Sequence, residues 1–170
     1  MPQRLYCYVD ESGQHNFGQL FVVSVVLAGP ERDDLLQACE LIEERTGKGR
    51  LKWIKTACAR RSAYLRQVFD NPLFCGPLNF AIFQNNQDYP GATALIVAKA
   101  IRARREVGYK ATVTIDGLTR AQQQTTAVAL IRLADSVCGL VVAALEGQTV
   151  MCALFDRALG SGFLKDISGE

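Results

Sequence analysis

Apolar and polar positions divide the chain into short β-branched runs and longer segments with apolar residues at helical spacing. The first pattern predicts strands over 5–9, 20–28, 78–83 and 110–115. The second predicts helices over 31–45, 57–69, 92–107, within 125–145, and over 150–159. The run LFVVSVVLA at 20–28 is almost continuously apolar, which is typical of a strand covered on both faces. This order of elements predicts an α/β fold with a mixed sheet flanked by helices.

Two of the predicted strands end in an aspartate followed by turn residues, at Asp10 and at Asp116. Because side chains alternate along a strand, Asp10 shares a face with Tyr8, whereas Glu11 belongs with Val9 unless the turn rotates it. If the two strands are parallel neighbours, their carboxylates meet, and like charges so close need a cation or a shared proton. Each aspartate also has a simpler interpretation as an ordinary turn residue.

A third carboxylate, Asp135, lies in the apolar segment ALIRLADSVCGLVVAAL. A buried carboxylate is costly and usually binds a partner, a proton or a metal. The small residues Ala134, Ser136 and Gly139 would let this helix approach the sheet closely. The competing interpretation makes Asp135 the N-cap of a helix that begins at Ser136.

Carboxylates without histidine or cysteine make a hard oxygen site that suits Mg²⁺ or Mn²⁺. Two such ions about 4 Å apart can activate water and stabilise the leaving oxygen at phosphorus. No nucleophilic side chain is required, which agrees with a chain whose one histidine is His15. His15 follows the first aspartate closely enough to touch the site, although a solvated loop histidine is the simpler interpretation.

Four segments of the chain, YVDESG, LKWIK, TVTIDG and LIRLADSVCG, together resemble the bacterial family called domain of unknown function 3800. The resemblance extends from about Leu5 to Gly147. It implies a ribonuclease H-like fold, in one domain covering residues 1–170, with a metal-dependent nuclease site. The segment from Gly117 to Leu130 departs from it, being short and alanine-rich where such a sheet would carry its fifth strand, so that strand is expected to be missing or displaced.

The resemblance also implies a role for each candidate residue. Asp10, Asp116 and Asp135 would be metal ligands, and Glu11 an additional ligand or a water-orienting base. Lys52, or alternatively Lys55, would contact a phosphate or stabilise the transition state.

Composition limits the partners and the compartment only loosely. A net charge of +2 and a pI near 8.2 do not by themselves indicate a nucleic-acid partner. A local patch could come from two groups of arginines, although such groups are usually solvated helix faces. Trp53 and Tyr109 are the candidates for base stacking, and both are more often core or rim residues. The arginine groups are Arg60, Arg61 and Arg66, and Arg102, Arg104 and Arg105.

Six cysteines without a CxxC pair are typical of buried thiols rather than zinc ligands or disulfides. The start of the chain lacks the pattern of a signal peptide, and no apolar run reaches the roughly 18 residues of a membrane span. These observations favour a cytoplasmic protein without a membrane partner.

The sequence therefore predicts a Mg²⁺- or Mn²⁺-dependent nuclease that acts on DNA or RNA. The main alternative is a binding or regulatory module that keeps the fold without turnover, such as a partner subunit in a toxin or phage-defence system. A phosphatase acting on small phosphate esters is a third class. The sequence leaves open DNA against RNA, internal against terminal cleavage, and the oligomeric state.

Overall fold

The computed structural model describes residues 3–14, 19–104, 108–116 and 128–169. Within them the strands are β1 (Gln3–Ser12), β2 (Leu20–Ala28), β3 (Leu78–Gln84), β4 (Tyr109–Ile115) and β5 (Leu164–Asp166). The helices are α1 (Arg32–Arg45), α2 (Cys58–Asp70), α3 (Tyr89–Ala103), α4 (Val128–Leu145) and α5 (Thr149–Gly160). Short 3-10 turns cover Trp53–Lys55 and Pro72–Phe74.

The five strands form one mixed sheet in the order β4-β1-β2-β3-β5. The pairs β1–β2 and β2–β3 are antiparallel, whereas β1–β4 and β3–β5 are parallel. The central strand β2 is buried along nearly its whole length, as its continuous apolar run predicts. The α/β class and the mixed sheet flanked by helices are therefore confirmed.

Helices cover both faces of the sheet, and the alternation of side chains along β1 shows how. Tyr8 belongs to a large core shared with α1, α2, α4 and α5. Cys7 and Val9 point the other way, into a smaller core that α3 completes. The side chains of β1 therefore alternate between the two cores, and Asp10 must lie on the same face of the sheet as Tyr8.

Helix α4 lies in the centre of the larger core, although its length and composition would also suit a membrane span. This corrects the expectation that no apolar segment would be so long. Most of the helix is buried against β1, β2 and the neighbouring helices. The Ser24 hydroxyl of β2 donates to the Ala134 carbonyl over 2.6 Å, a close approach that the small residues of α4 allow.

One strand was not predicted. The fifth strand is β5 at the edge opposite β4, a segment of three residues that is too short for a periodic pattern to predict. Of the segment where a ribonuclease H-like sheet would carry its fifth strand, residues 117–127 lie outside the described part, and Val128 already begins α4. One expectation, that the cysteines are buried, needs correction. All six cysteines are free, but Cys58 and Cys75 are exposed rather than buried.

Candidate active site

The parallel pairing of β1 with β4 brings Asp10 and Asp116 to one end of the sheet. Val9 pairs with Ile115, and the Asp116 amide donates to the Val9 carbonyl over 3.0 Å. Asp10 is not a turn residue, because β1 continues past it and Asp10 pairs with Ser24 of β2. The prediction that two aspartates converge through parallel neighbouring strands is confirmed.

Asp135 approaches the same place from helix α4. It lies well inside that helix, so the interpretation of Asp135 as an N-cap before Ser136 is wrong. Its Oδ2 atom accepts a 2.6 Å hydrogen bond from the Trp53 amide, the first N–H of the 3-10 turn. Because α4 covers the face of β1 that carries Tyr8, Asp135 lies on the same side of the sheet as Asp10.

Burial and neighbouring carboxylates raise the pKa of two of the aspartates, Asp10 and Asp135. Burial, together with the charges of Asp135 and Asp116, raises the pKa of Asp10 to about 7, against the opposing effects of a backbone hydrogen bond from Glu11 and of the nearby Lys52. Burial also raises the pKa of Asp135, against the opposing effects of the Trp53 amide and of nearby lysines. The site therefore concentrates acidic groups where burial and like charges oppose the ionised forms of Asp10 and Asp135.

Lys52 is the lysine that meets the carboxylates. Its Nζ atom lies 2.6 Å from Asp116 Oδ2, and this hydrogen bond raises the pKa of the lysine. The Lys52 side chain is still 58% exposed, so it can also reach a ligand in solvent. Lys55 is exposed at the far end of the 3-10 turn. Between the two lysines that the sequence offers, the geometry favours Lys52.

Glu11 also lines the cavity that opens beside Asp10 and Asp135, but its carboxylate forms its hydrogen bonds away from the three aspartates. Strand alternation carries its carboxylate to the opposite face, as expected if no turn rotates it. There it accepts hydrogen bonds from the Thr93 hydroxyl of α3 and, over 2.6 Å, from the Gln14 amide. It lines an apolar cavity of about 550 Å³ between α3 and β4. Its role as ligand or water-orienting base stays a prediction that this placement does not support.

A second cavity, of about 300 Å³, opens beside Asp10 and Asp135. Ile54 stands at its wall and is 82% exposed, which is unusual for a large apolar side chain. Arg61 also lines the cavity. Sequence reasoning passed over Ile54 and placed Arg61 only within a group of helix arginines, because the direction of a side chain in a loop or helix depends on packing.

Trp53 is held in place by its surroundings. The Arg61 guanidinium lies 4.6 Å from the centre of the indole ring, and Arg61 Nε donates to the Trp53 carbonyl over 2.9 Å. A Cβ atom at Gly139 would fall 2.4 Å from ring atoms of Trp53. Gly139 was expected to let α4 approach the sheet, and its contact is instead with Trp53.

The predicted arginine groups do not form one patch at the site. Of the group members that the structure describes, only Arg61 lines the site, while Arg104 pairs with Glu31 on another part of the surface. Tyr109 is 39% exposed at the start of the edge strand β4. The remaining predicted residues are Arg60, Arg66 and Arg102, which are exposed, and His15 and Arg105, which lie outside the described residues.

The donor chemistry fits a hard divalent cation, because all three converging groups are carboxylates and the charge of Asp116 raises the pKa of both Asp10 and Asp135. The three carboxylates lie farther apart than the ligands of a bound metal ion do. Within residues 3–14, 19–104, 108–116 and 128–169, no three histidine, cysteine, aspartate or glutamate side chains are grouped closely enough to hold a metal. Side-chain rotation, including release of Lys52 by Asp116, would have to accompany coordination.

Comparison of the chain with protein-family models, with curated proteins and with solved structures finds no match.

Proposed function

We propose that this protein is a Mg²⁺- or Mn²⁺-dependent nuclease with a ribonuclease H-like fold of the domain of unknown function 3800 type, acting in the cytoplasm. The observation that carries the proposal is the convergence of Asp10, Asp116 and Asp135 with Lys52 at one end of the sheet. These groups come from two strands, one helix and one loop that are far apart in the sequence. Burial and like charges that shift carboxylate pKa values beside a cavity are typical of functional sites.

Asp10, Asp116 and Asp135 would hold the cation. A bound Mg²⁺ or Mn²⁺ supplies an activated water and stabilises charge on the leaving oxygen. The protein contributes orientation, because the Trp53 amide fixes Oδ2 of Asp135. It also contributes a mobile positive charge, since the exposed Lys52 can transfer its hydrogen bond from Asp116 to a non-bridging phosphate oxygen.

Protonation of Asp10 links the site to pH. With a pKa of about 7, Asp10 holds a proton in roughly half of the molecules at neutral pH when no cation is bound. A cation must displace that proton, so its affinity should rise with pH.

The surroundings of the carboxylates suit a polymeric phosphodiester better than a small ester. Arg61 places a guanidinium beside the cavity, where it can contact a neighbouring phosphate. Ile54 presents an exposed apolar surface on which the face of an unpaired base can rest. The nucleic acid would therefore lie along the loop that carries Lys52 and Ile54.

The test is cleavage of labelled single-stranded and duplex DNA and RNA in Mg²⁺ or Mn²⁺. Asp10→Asn and Asp135→Asn should each lower the rate at least about 100-fold, because each removes a ligand. Asp156→Asn, an exposed aspartate on α5, is the matched control and should cut like the wild type. Equal activity of wild type and Asp10→Asn, or equal inertness of both in every substrate and metal, would refute the proposal.

A binding or regulatory module without turnover is the second candidate. The Lys52–Asp116 ion pair favours it, because an ammonium that neutralises one of the three carboxylates competes with a metal for that ligand. Such a module would bind nucleic acid without cutting it, and Asp10→Asn would leave that affinity unchanged. Turnover of a generic phosphoester without cleavage of nucleic acid would instead indicate a phosphatase.

A further inference from the structure

A buried cluster of three charged side chains lies behind the candidate active site. Arg132 of α4 donates two hydrogen bonds of 2.7 Å to the Glu43 carboxylate of α1. Lys48 Nζ lies 3.6 Å from the same carboxylate, and the Lys48 side chain is 0% exposed. Burying a lysine beside a pair that is already neutral is costly, and a nonpolar residue of similar volume would avoid that cost. The lysine therefore calls for a further explanation.

The second contact of Lys48 supplies one. Its Nζ atom donates a 2.9 Å hydrogen bond to the carbonyl of Leu51. The Gly49 amide donates to the backbone carbonyl of Glu43, also over 2.9 Å. Gly49 has a φ of +55°, a left-handed conformation that favours glycine and turns the chain back toward the cluster. Glu43 thus holds the loop after α1 in two ways. Its carboxylate lies beside the Lys48 ammonium, and its backbone carbonyl accepts a hydrogen bond from the Gly49 amide.

This loop leads directly into the site. Leu51, whose carbonyl Lys48 holds, immediately precedes Lys52 and then Trp53, whose amide binds Asp135. Arg132 and Asp135 are three residues apart on α4 and therefore lie on one face of that helix. The loop is fastened at two points, to Glu43 of α1, which Arg132 of α4 also binds, and to Asp135 of α4. Lys52 lies between these points in the sequence.

We propose that Lys48 is a positioning residue, which holds the segment 48–53, here called the site loop, against Glu43 of α1 so that Lys52 and the Trp53 amide stay at the carboxylates. The effect of Lys48 on cleavage rests on the proposed nuclease function. Its effect on the conformation of the site loop does not, and it can be measured separately.

The test is Lys48→Met, which keeps a similar volume and leaves the Glu43–Arg132 pair intact. Trp53 is the one tryptophan of the chain, so its fluorescence reports the site loop. The variant should keep the far-ultraviolet circular dichroism of the wild type, while Trp53 emission moves to the red and acrylamide quenching increases. Cleavage should lose about 10- to 100-fold in kcat with little change in KM, as expected for misplaced groups.

Arg50→Met is the matched control, because Arg50 is an exposed cation in the same loop. It should retain the Trp53 spectrum and the kcat of the wild type. Lys48→Met with the same Trp53 emission and quenching as Arg50→Met would overturn the proposal. A changed spectrum with unchanged kcat would overturn the catalytic part of it. A wild type that cuts nothing would refute the nuclease function, and the fluorescence comparison would still decide the role of Lys48.

Hydrogen exchange of the wild type gives a second test that needs no variant. If the site loop opens as one unit, the Gly49 and Trp53 amides should show the same free energy of opening. A Trp53 amide that exchanges far faster than that of Gly49 would mean that the two ends move independently. That result would overturn the proposal even if Lys48→Met failed to fold.

Discussion

Replacing Asp10 by asparagine should stabilise the metal-free protein at alkaline pH. The pKa of Asp10 is about 7 in the folded protein, against 3.8 for an ordinary aspartate. The folded state therefore binds the proton more tightly than the unfolded state. Above pH 7 Asp10 is charged in both states, and the fold carries the full cost of burying that charge. As pH falls from 7 toward 4 the cost disappears. Asparagine resembles the protonated aspartate and avoids the cost at every pH.

The magnitude follows from the difference between the two pKa values. Each pH unit corresponds to about 1.4 kcal/mol, which gives an upper limit of about 4 kcal/mol. Asp10 is only half-buried, and solvent reduces this effect to about 2 kcal/mol. For a chain of this size such a gain raises Tm by about 4–8 °C.

The assay is thermal unfolding with EDTA at pH 8 and at pH 5, followed by circular dichroism. Asp10→Asn should melt above the wild type at pH 8, and the gap should be clearly smaller at pH 5, where part of the cost remains because the aspartate of the unfolded chain is still ionised. Asp156→Asn, on the exposed side of α5, should show no gap at either pH. An Asp10→Asn variant that is less stable than the wild type at pH 8, or a gap that does not change with pH, would refute the reasoning about crowded carboxylates.

Three other predictions concern the same region. Titration calorimetry should show that Mg²⁺ binds more tightly as pH rises from 6 to 8, with release of a proton, because the cation displaces the proton of Asp10. A Mg²⁺ affinity that is independent of pH would contradict this. Gly139→Ala should destabilise the fold by about 1–3 kcal/mol, because its Cβ would overlap the Trp53 ring. Gly160→Ala, where a Cβ meets open space, should be neutral or slightly stabilising in urea unfolding, so similar results for both would exclude the clash. Arg132→Met should cost about 3–5 kcal/mol by chemical denaturation, because it weakens the pairing of the buried Glu43, and a cost below about 1 kcal/mol would show that Glu43 finds other compensation.

Much of the site could be predicted because it depends on regular elements. Alternation along β1 correctly separates Asp10 from Glu11, since a strand side chain has only two directions. A valine-rich strand without polar positions correctly predicts the central strand β2. The apolar helical neighbours of Asp135 correctly predict that it lies at a buried surface. The same pattern does not exclude an N-cap, which the structure excludes because α4 already begins at Val128.

The irregular parts could not be predicted, because their conformation depends on distant contacts. Lys52 and Lys55 look equivalent in the sequence, and only the extended backbone at Lys52 before the 3-10 turn separates them. The buried state of Lys48 depends on Glu43 and on Arg132, which is far along the chain. Base rates favour an exposed lysine at such a position, so no local pattern would have found it.

The parallel pairing of β1 with β4 also determines when the site can exist during synthesis. β1 pairs with β2, its neighbour in the sequence, but its other neighbour in the sheet pairs residue 3 with residue 109. Helix α4, which brings the third aspartate, follows later still. Most of the polypeptide must therefore leave the ribosome before the acidic groups can come together. Contacts this distant in sequence also form slowly. Incomplete products would lack the assembled centre, so partial chains could not carry an activity that depends on it.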